Sequence, residues 1–327
     1  MKIPRRLRLL VLLILLFQSP APSCFGQLSS SSSSEREARP VVVDFLDIGQ
    51  GDSILVRSPE GKAALIDAGP TREGAIRTLK SKGIRSIDIV IVTHHHSDHY
   101  GGMEQVILNY KPKYFVATGS SHTTRGYLKL LQTVKTEGIT AVEPTGKERK
   151  VDLGSVLLTV FPQPPTDPEE ENNNSIGLRL QYDAFSVLLT GDSETTERQW
   201  WAAHNASLVR DCTILKLAHH GSHNGTDQRW LDLVQPELAV ASLGKDNEYG
   251  HPHSETLSLL RSNDVPLLRT DQRGTITIIS NGRTWNVVKP ELARRKRTKS
   301  DADVASTSGD DKGSAGTATT RTSTRRR

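Results

Sequence analysis

One short segment of the sequence holds four side chains that could bind a metal ion. Within Thr-His-His-His-Ser-Asp-His-Tyr-Gly-Gly at 93–102, these are His94, His96, Asp98 and His99. Imidazole nitrogen and carboxylate oxygen are the ligands that suit zinc and its first-row neighbours. A cluster of surface histidines is the alternative interpretation. The sequence around the segment favours the metal site.

The residues before this segment predict a buried strand at 87–92, because Ile-Asp-Ile-Val-Ile-Val is rich in β-branched residues. A strand that ends in a loop of ligand-type residues aims several of them at one point. Gly101 and Gly102 follow the loop, and glycine lets the backbone approach a site closely. The strand and the glycines therefore indicate a built site rather than a surface cluster.

Three other apolar runs of the sequence end in residues that can bind metals. The residues are Asp67, Asp192 and the neighbouring pair His219 and His220. Each signal alone is weak, because an aspartate beside a glycine at a strand end is commonly a turn residue. Together with the 94–99 segment, the three strand ends indicate one shared site.

The predicted elements form groups of strands, each followed by helices. Strands are expected within 41–66 and at 87–92, 114–117, 157–161, 213–217 and 237–242, and hairpins within 176–190 and 275–288. The polar, proline-rich segment 162–174 predicts a surface loop. Groups of strands followed by helices predict two sheets that pack together and are covered on the outside by helices.

Both ends of the chain differ in composition from the middle. Residues 1–26 combine a basic start with a short apolar run and predict a secretory signal peptide, so export to the periplasm or the extracellular space is expected. Lipidation at Cys24 is the alternative. Residues 27–39 are expected to form a serine-rich linker, and 291–327 a disordered basic tail, because the tail has few apolar residues to bury. The interval 40–290 suits one large domain.

The basic balance of the whole chain comes from its ends. The first 26 and the last 36 residues carry 14 of the 42 lysines and arginines but only four of the 37 acidic residues, so the domain between them is acidic. A generally basic surface for nucleic acid is therefore not supported in the domain. The two cysteines are Cys24 and Cys212, and removal of a signal peptide would leave no pair for a disulfide.

The assembled motifs resemble the metallo-β-lactamase superfamily, and the 94–99 segment is the most specific of them. They are more similar still to the soluble hydrolase domain of ComEC-type competence DNA-uptake proteins. The resemblance covers 41–288 and does not include the membrane channel part of those proteins. The matching segments are Asp47-Ile-Gly-Gln-Gly-Asp52, Asn174-Ser175, Leu189-Thr-Gly-Asp192, Leu217-Ala-His-His-Gly-Ser222, Tyr249-Gly-His-Pro252 and Arg269-Thr-Asp-Gln-Arg-Gly274.

The resemblance implies an α/β fold, namely a four-layer αββα sandwich with a metal site at the edge of its two sheets. It also implies one or two divalent metal ions. The implied ligands are His94 and His96 for a first ion, Asp98, His99 and His220 for a second ion, and Asp192 as a bridge between them.

The pair His219 and His220 leaves a choice of ligand. We take His220, because it precedes Gly221 and the last ligand histidine of the superfamily commonly precedes glycine. His219 is then a candidate contact to the substrate or a proton donor. Asp67 resembles the acid that supports the ligand loop without binding metal, and His95 is expected to point away from the ions.

One departure from the superfamily pattern concerns the first metal ion. Many members supply another histidine between the ligand loop and the bridging aspartate. This chain has Asn174 and Ser175 at the corresponding place, and its one intervening histidine, His122, is far from there in sequence. We therefore expect tight binding of one ion rather than two, with zinc as the first expectation and manganese as the alternative.

The resemblance implies hydrolysis by a metal-activated water, without a serine or cysteine nucleophile. The leading hypothesis is a phosphodiester or related phosphate ester as substrate, nucleic acid included, with Asp98, His219 and His251 in catalytic roles. Ser222 is a further candidate contact to the phosphate oxygens. Both Ser222 and His251 have structural alternatives, Ser222 as a helix cap and His251 as a loop support. Ester or lactone hydrolysis is the second hypothesis, and a non-catalytic module that retains its metal is the third.

Overall fold

Two mixed β-sheets packed face to face form the centre of the molecule. They are seen in a computed structural model that describes residues 39–167 and 169–288. The predicted signal peptide, the serine-rich linker up to residue 38 and the C-terminal tail lie outside the described residues. Among the described residues, no helix combines the length and the apolar character needed to span a bilayer.

The strands account for most of the regular structure. In chain order they are β1 (Val41–Phe45), β2 (Ile54–Arg57), β3 (Ala63–Ile66), β4 (Ile89–Val92), β5 (Tyr114–Ala117), β6 (Thr140–Val142), β7 (Arg149–Leu153), β8 (Val156–Val160), β9 (Leu178–Tyr182), β10 (Phe185–Leu189), β11 (Ile214–Lys216), β12 (Leu238–Ala241), β13 (Leu267–Arg269), β14 (Ile276–Ser280) and β15 (Trp285–Val288).

The strands divide into an eight-stranded and a seven-stranded sheet. The first sheet has the order β15-β14-β1-β2-β3-β4-β5-β6 and the second the order β13-β12-β11-β10-β9-β8-β7. In the first sheet β3 to β6 are parallel, and in the second β10 to β13 are parallel. The remaining neighbours are antiparallel and include the predicted hairpins β9-β10 and β14-β15.

Helices cover the outer faces of both sheets. In chain order they are α1 (Gly74–Ser81), α2 (Ser97–Tyr100), α3 (Met103–Tyr110), α4 (Arg125–Thr136), α5 (Thr195–His204), α6 (Ala206–Val209), α7 (Gln228–Val234), α8 (Ser254–Ser262) and α9 (Thr270–Arg273), with short 3-10 helices at Glu171–Asn174 and Ala218–Gly221.

Alternation along the central strands supplies three apolar cores. In β4, Ile89 and Ile91 pack in the core between the sheets, whereas Val90 and Val92 pack beneath α1, α3 and α4. In β10, Val187 packs in the core between the sheets, and Leu188 packs in a third core with α5, α7 and α8. Successive side chains of a strand point to opposite faces, so both sheets are apolar on both sides. The result is the predicted αββα sandwich.

Three strands were not predicted from the sequence. β6 and β13 have only three residues each, and β7 has the polar sequence Arg-Lys-Val-Asp-Leu with most of its side chains exposed. All three occupy edge positions, where one side of the strand has no neighbour in the sheet. A strand that is short or solvated on one side carries little hydrophobic pattern.

The segment 162–174 is less exposed than its composition predicts. It ends in the 3-10 helix Glu171–Asn174, in which Asn172, Asn173 and Asn174 are buried. Their amide groups find partners inside the fold. For example, Oδ1 of Asn173 accepts the backbone N–H of Glu194 at 3.2 Å. The prediction of a surface loop was therefore wrong for the end of the segment, because hydrogen bonds satisfy the buried polar groups.

Candidate metal centre

The candidate site lies where the parallel strands of both sheets end. β3 and β4 are parallel, so their carboxyl ends bring Asp67 and the 94–99 segment to one edge of the first sheet. β10 and β11 are also parallel and bring Asp192 and the pair 219–220 to one edge of the second sheet. Residues more than a hundred positions apart in sequence meet at this common edge, as binding residues commonly do in α/β folds.

Four side chains surround a single point at this edge. Asp98, His99, Asp192 and His220 each offer one ligand atom within 4.8 Å of the others. Oδ2 of Asp192 lies 3.2 Å from Nε2 of His99 and 3.3 Å from Nε2 of His220. Nε2 of His220 also lies 3.3 Å from Oδ2 of Asp98. Two imidazoles and two carboxylates form a donor set that suits zinc or manganese.

The two histidines of this group have ring nitrogens that need a partner. Nε2 of His99 and Nε2 of His220 are buried, and although Oδ2 of Asp192 lies 3.2 Å and 3.3 Å away, the geometry gives neither nitrogen a hydrogen bond within the described part of the chain. A buried polar atom without a partner is costly unless a cation or water satisfies it. The four residues therefore fit a divalent cation.

The electrostatics of the group agree with this fit. Burial by itself lowers the pKa of His220, but the carboxylates of Asp192 and Asp98 outweigh burial and raise the pKa to about 9. Burial likewise opposes protonation of His99, whose pKa is nevertheless raised well above its usual value by Asp192 and Asp67. The carboxylates thus strongly favour positive charge at this site. A divalent cation supplies that positive charge while both imidazoles are neutral and act as ligands.

His94 and His96 lie beside this group. Nε2 of His94 is 3.0 Å from Nδ1 of His96, and the His94 ring centroid is 4.1 Å from that of His99. Burial, followed by the neighbouring charge of His99, holds the pKa of His94 well below its usual value. A neutral imidazole has the lone pair that metal binding needs. The structure thus brings both histidines of the predicted first-ion set to the edge of the four-residue group.

The carboxylate of Asp67 supports the ligand loop from below. Oδ1 accepts the backbone N–H of Thr93 at 2.8 Å, and Oδ2 accepts the Thr93 hydroxyl at 2.7 Å and Nδ1–H of His99 at 2.8 Å. When Nδ1 of His99 carries a proton, Nε2 is left with a free lone pair. Asp67 thereby selects the ring form that can bind a metal ion through Nε2.

The pair His219 and His220 occupies an unusual stretch of backbone. The φ angles of His219, His220 and Gly221 are 48°, 53° and 90°, all in the left-handed region. Such φ angles in non-glycine residues are strained and concentrate at functional sites. Here the side chains separate: Nδ1 of His220 donates to the carbonyl of Ser242 at 2.8 Å, and Nδ1 of His219 lies 3.1 Å from Oε1 of Glu194.

A pocket of about 280 Å³ opens over the four-residue group. Its lining comprises Gln50, His96, Ser97, Asp98, Asp192, His219, His220, Tyr249 and His251. The ring centroid of His251 is 5.3 Å from that of His219. Burial and the nearby His220 lower the pKa of His251 to about 4, so its ring is neutral at neutral pH. All three residues predicted for catalysis, Asp98, His219 and His251, line this one pocket.

Other predicted positions lie outside the pocket. The side chain of Asn174 bonds to the backbone of the preceding loop, donating to the carbonyl of Asp167 at 2.7 Å. The Ser175 hydroxyl accepts the backbone N–H of Asp192 at 3.1 Å. His95 and His122 form a separate group with Glu171, whose Oε1 lies 3.1 Å from Nδ1 of His95. The ring of His95 thus has partners away from the four-residue group.

Three residues of the site had no role in the sequence analysis. Asp52 lies 3.6 Å from His220, Lys216 lies 3.6 Å from Asp192, and Glu194 lies 3.1 Å from His219. Asp52 was visible as part of a matching motif. Lys216 was detectable as a single charge within an apolar strand. Glu194 carries no sequence signal of its own. Its place in the site is recognised only from its distance to His219 in the structure.

Comparison with known proteins agrees with the fold and the motifs. The chain belongs to the metallo-beta-lactamase superfamily, whose family model matches residues 46–245. The metallo-beta-lactamase fold protein YhfI from Bacillus subtilis has a similar structure, with a TM-score of 0.52 and 12% sequence identity over 74% of this chain and 100% of YhfI. The predicted fold class is thereby confirmed.

Two relatives agree with the more specific resemblance. ComE operon protein 3 of Bacillus subtilis (strain 168) is 33% identical over 269 residues, which are 76% of this chain and 34% of that protein. Competence protein ComA of Neisseria gonorrhoeae is 29% identical over 245 residues, 72% of this chain and 31% of ComA. The resemblance to ComEC-type competence proteins is confirmed, and the chain spans about a third of the length of these relatives.

Proposed function

We propose that this protein is a metal-dependent hydrolase that acts on a phosphodiester or a related phosphate ester. One observation carries the proposal: two buried imidazoles and two carboxylates converge beside a pocket that three of these four side chains line, and the ring nitrogens that face the group form no hydrogen bond within the described chain. This donor set, open on one side, is typical of hydrolytic metal sites.

The proposed ligands follow from the positions of the side chains. Asp98, His99, Asp192 and His220 would hold the principal ion, and His94 and His96 would hold a second ion with Asp192 as the bridge. Zinc is the first candidate and manganese the second. When bound, such an ion polarises a phosphoryl oxygen, lowers the pKa of water and stabilises developing negative charge.

The other side chains of the pocket would handle the substrate and its protons. His219 is held by Glu194 and has Nε2 3.9 Å from Oδ2 of Asp192, so it can donate a proton to a leaving-group oxygen near the ligands. His251 is neutral and can donate one N–H to a phosphoryl oxygen. Asp98 is the more exposed carboxylate of the group and can orient the attacking water.

Nucleic acid is included among the candidate substrates because the motifs resemble those of competence DNA-uptake proteins and the Neisseria gonorrhoeae relative is named a competence protein. The acidic domain argues for contact with a short stretch of a nucleic acid rather than a long one, since phosphate binding along a track needs basic side chains. The signal peptide predicted at 1–26 supports the further proposal that the activity lies outside the cytoplasm.

The proposal is tested by hydrolysis assays on metal-reconstituted protein. The substrates are bis-p-nitrophenyl phosphate, single-stranded DNA, p-nitrophenyl acetate and nitrocefin, each with zinc or manganese. We expect cleavage of the two phosphodiesters, and its loss in Asp98→Ala and His99→Ala. His204→Ala serves as the matched control, because His204 is an exposed histidine on α5 away from the pocket.

Each other result contradicts the proposal in a distinct way. Phosphodiester cleavage that persists in Asp98→Ala and His99→Ala would exclude these residues from the activity. Cleavage of the carboxylic ester or the lactam alone would identify an esterase-type or lactamase-type enzyme. Bound metal without cleavage of any substrate would identify a binding module.

A further inference from the structure

A buried lysine lies directly beside the candidate metal centre. Lys216 is on β11, and its side chain is fully buried. Ile214 of the same strand packs in the core between the sheets, and side chains two apart share a face, so Lys216 points into the same layer. Burial of an ammonium group is costly unless oxygen atoms surround it. The partners of Lys216 therefore indicate why a lysine is placed here.

Three oxygens surround the ammonium group of Lys216. It forms an ion pair with Oδ2 of Asp52, and it donates a hydrogen bond to the carbonyl of Gly191 at 3.1 Å. It also lies 3.6 Å from Oδ1 of Asp192. Asp52 is buried as well, and its Oδ1 is 3.6 Å from Nδ1 of His220. Lys216 thus contacts the proposed bridging ligand and the residue before it.

The two carboxylate oxygens of Asp192 have different neighbours. Oδ2 faces Nε2 of His99 and Nε2 of His220, at 3.2 Å and 3.3 Å. Oδ1 is buried, accepts no hydrogen bond from the described residues, and faces Lys216. The backbone N–H of Asp192 is fixed separately by the Ser175 hydroxyl. The orientation of the carboxylate therefore depends on what attracts Oδ1.

We propose that Lys216 is a positioning residue for the metal centre: anchored by Asp52 and the Gly191 carbonyl, its ammonium group attracts Oδ1 of Asp192 and leaves Oδ2 directed at the metal site. The inference rests on the metal-binding part of the proposed function and is independent of the substrate. The competing explanation is that Lys216 only neutralises the buried charge of Asp52 and has no effect on Asp192.

A double-mutant cycle separates these explanations. In the Asp52→Asn background, Lys216 has no charge on residue 52 to neutralise. Adding Lys216→Met to that background then affects metal binding only if Lys216 acts on Asp192. The measurements are the affinity for cobalt(II), by competition with a chelator, and the visible absorption of the cobalt(II) protein, which reports the ligand geometry. The unfolding temperature of the metal-free protein reports the structural effect.

We expect Lys216→Met to weaken cobalt(II) binding by about 10- to 100-fold in both backgrounds, as residues that orient metal ligands commonly do. The cobalt(II) spectrum should change with it. The unfolding temperature should fall in Lys216→Met alone and recover in Asp52→Asn/Lys216→Met, because the double variant leaves no unpaired buried charge on residue 52. Affinity that stays low while folding recovers supports the inference.

Two controls keep the test decisive. Lys82→Met removes another lysine that pairs with a buried aspartate, Asp44 at 2.9 Å, and should leave the cobalt(II) spectrum unchanged. Asp52→Asn/Lys216→Gln provides a second neutral pair, with a side chain too short to reach Asp192, should the methionine variant not fold. Wild-type cobalt(II) affinity and spectrum in either neutral pair would overturn the inference. Wild-type protein that binds metal but hydrolyses nothing would contradict the proposed hydrolase and leave this result intact.

Discussion

Nδ1 of His99 lies 2.8 Å from Oδ2 of Asp67, and both side chains are fully buried. The same carboxylate accepts the backbone N–H and the hydroxyl of Thr93, the first residue of the ligand loop. One aspartate at the end of β3 thus fixes both the start of the loop and the ring form of a proposed ligand. β3 and β4 are parallel neighbours, so the residue that follows β3 lies beside the loop that follows β4.

Asp67→Asn should weaken binding of zinc or cobalt(II) by about 10- to 100-fold, because the amide cannot accept all three hydrogen bonds and His99 loses its fixed ring form. It should also destabilise the fold by about 1–3 kcal/mol. Chelator competition and denaturant unfolding measure the two effects. Asp88→Asn is a matched control, since Asp88 also accepts a backbone N–H, from Ala63 at 2.8 Å, but far from the ligands. Equal metal affinity in the two variants would contradict the role of Asp67.

The adjacent histidines at 219 and 220 should behave differently when each is replaced by alanine. His220→Ala removes a proposed ligand and should lose tightly bound metal during dialysis. His219→Ala should retain the metal but lower kcat by about 10²- to 10⁴-fold, the usual effect of losing a general acid. Elemental analysis and steady-state kinetics make the comparison. Metal loss in His219→Ala with retention in His220→Ala would reverse the assignment.

The close approach of Gly51 to the ligand loop predicts a strong effect of a single methyl group. A Cβ at Gly51 would overlap the carbonyl oxygen of Asp98, whereas a Cβ at Gly49 would meet no atom within 4 Å. Both glycines have positive φ angles, 121° and 84°. Gly49→Ala should therefore cost about 1–2 kcal/mol of backbone strain, and Gly51→Ala about 1–3 kcal/mol more through overlap.

Thermal and denaturant unfolding measure this difference in stability, and metal affinity measures its effect on the loop. We expect Gly51→Ala to weaken metal binding because Asp98 must shift, and Gly49→Ala to retain it. Similar metal affinities in the two variants would show that the loop adapts without moving its ligand.

The pH dependence of the free energy of unfolding should reveal the titration of Glu197, a fully buried acid on α5. Burial raises the pKa of Glu197 well above its usual value, against a smaller opposing effect of its hydrogen bond from the Ser175 backbone. The folded protein therefore keeps a proton that the unfolded chain releases. Glu197 favours folding below the pKa of the unfolded state, and this contribution is lost as pH rises through the folded pKa.

Glu197→Gln should therefore gain stability relative to the wild type as pH rises from about 4.5, by at most about 1.4 kcal/mol per pH unit. Urea unfolding of both proteins between pH 5 and pH 8 measures the difference. Glu194→Gln is a useful comparison, because the pKa of Glu194 is lowered, first by its hydrogen bond with His219. Parallel pH profiles for Glu197→Gln and the wild type would contradict the assignment.

Much of this arrangement could be predicted from the sequence because it depends on local patterns. The apolar run before Thr93 predicts the strand that delivers the ligand loop, and the observed strand begins only two residues later, at Ile89. Asp67 meets the ligand loop because β3 and β4 are parallel neighbours, and Asp192 meets the 219–220 pair because β10 and β11 are parallel neighbours. These features need only periodicity and residue type.

The remaining features depend on contacts between distant parts of the chain. No local pattern states that Lys216 pairs with Asp52, which is 164 positions earlier in the sequence, in the loop before β2 of the other sheet. The left-handed backbone at His219 and His220 is equally hidden, since neither residue type requires it. Which of the two imidazoles faces the carboxylates is decided by that backbone and by the Ser242 carbonyl.

Anomalous diffraction from crystals soaked in zinc tests the central claim most directly. Data collected on either side of the zinc absorption edge locate the ion without reference to activity. The account predicts a peak within about 2.0–2.3 Å of a ring nitrogen of His99, a ring nitrogen of His220 and carboxylate oxygens of Asp98 and Asp192. No zinc peak between these four side chains, or a peak confined to other histidines such as the neighbouring pair His223 and His253, would contradict it.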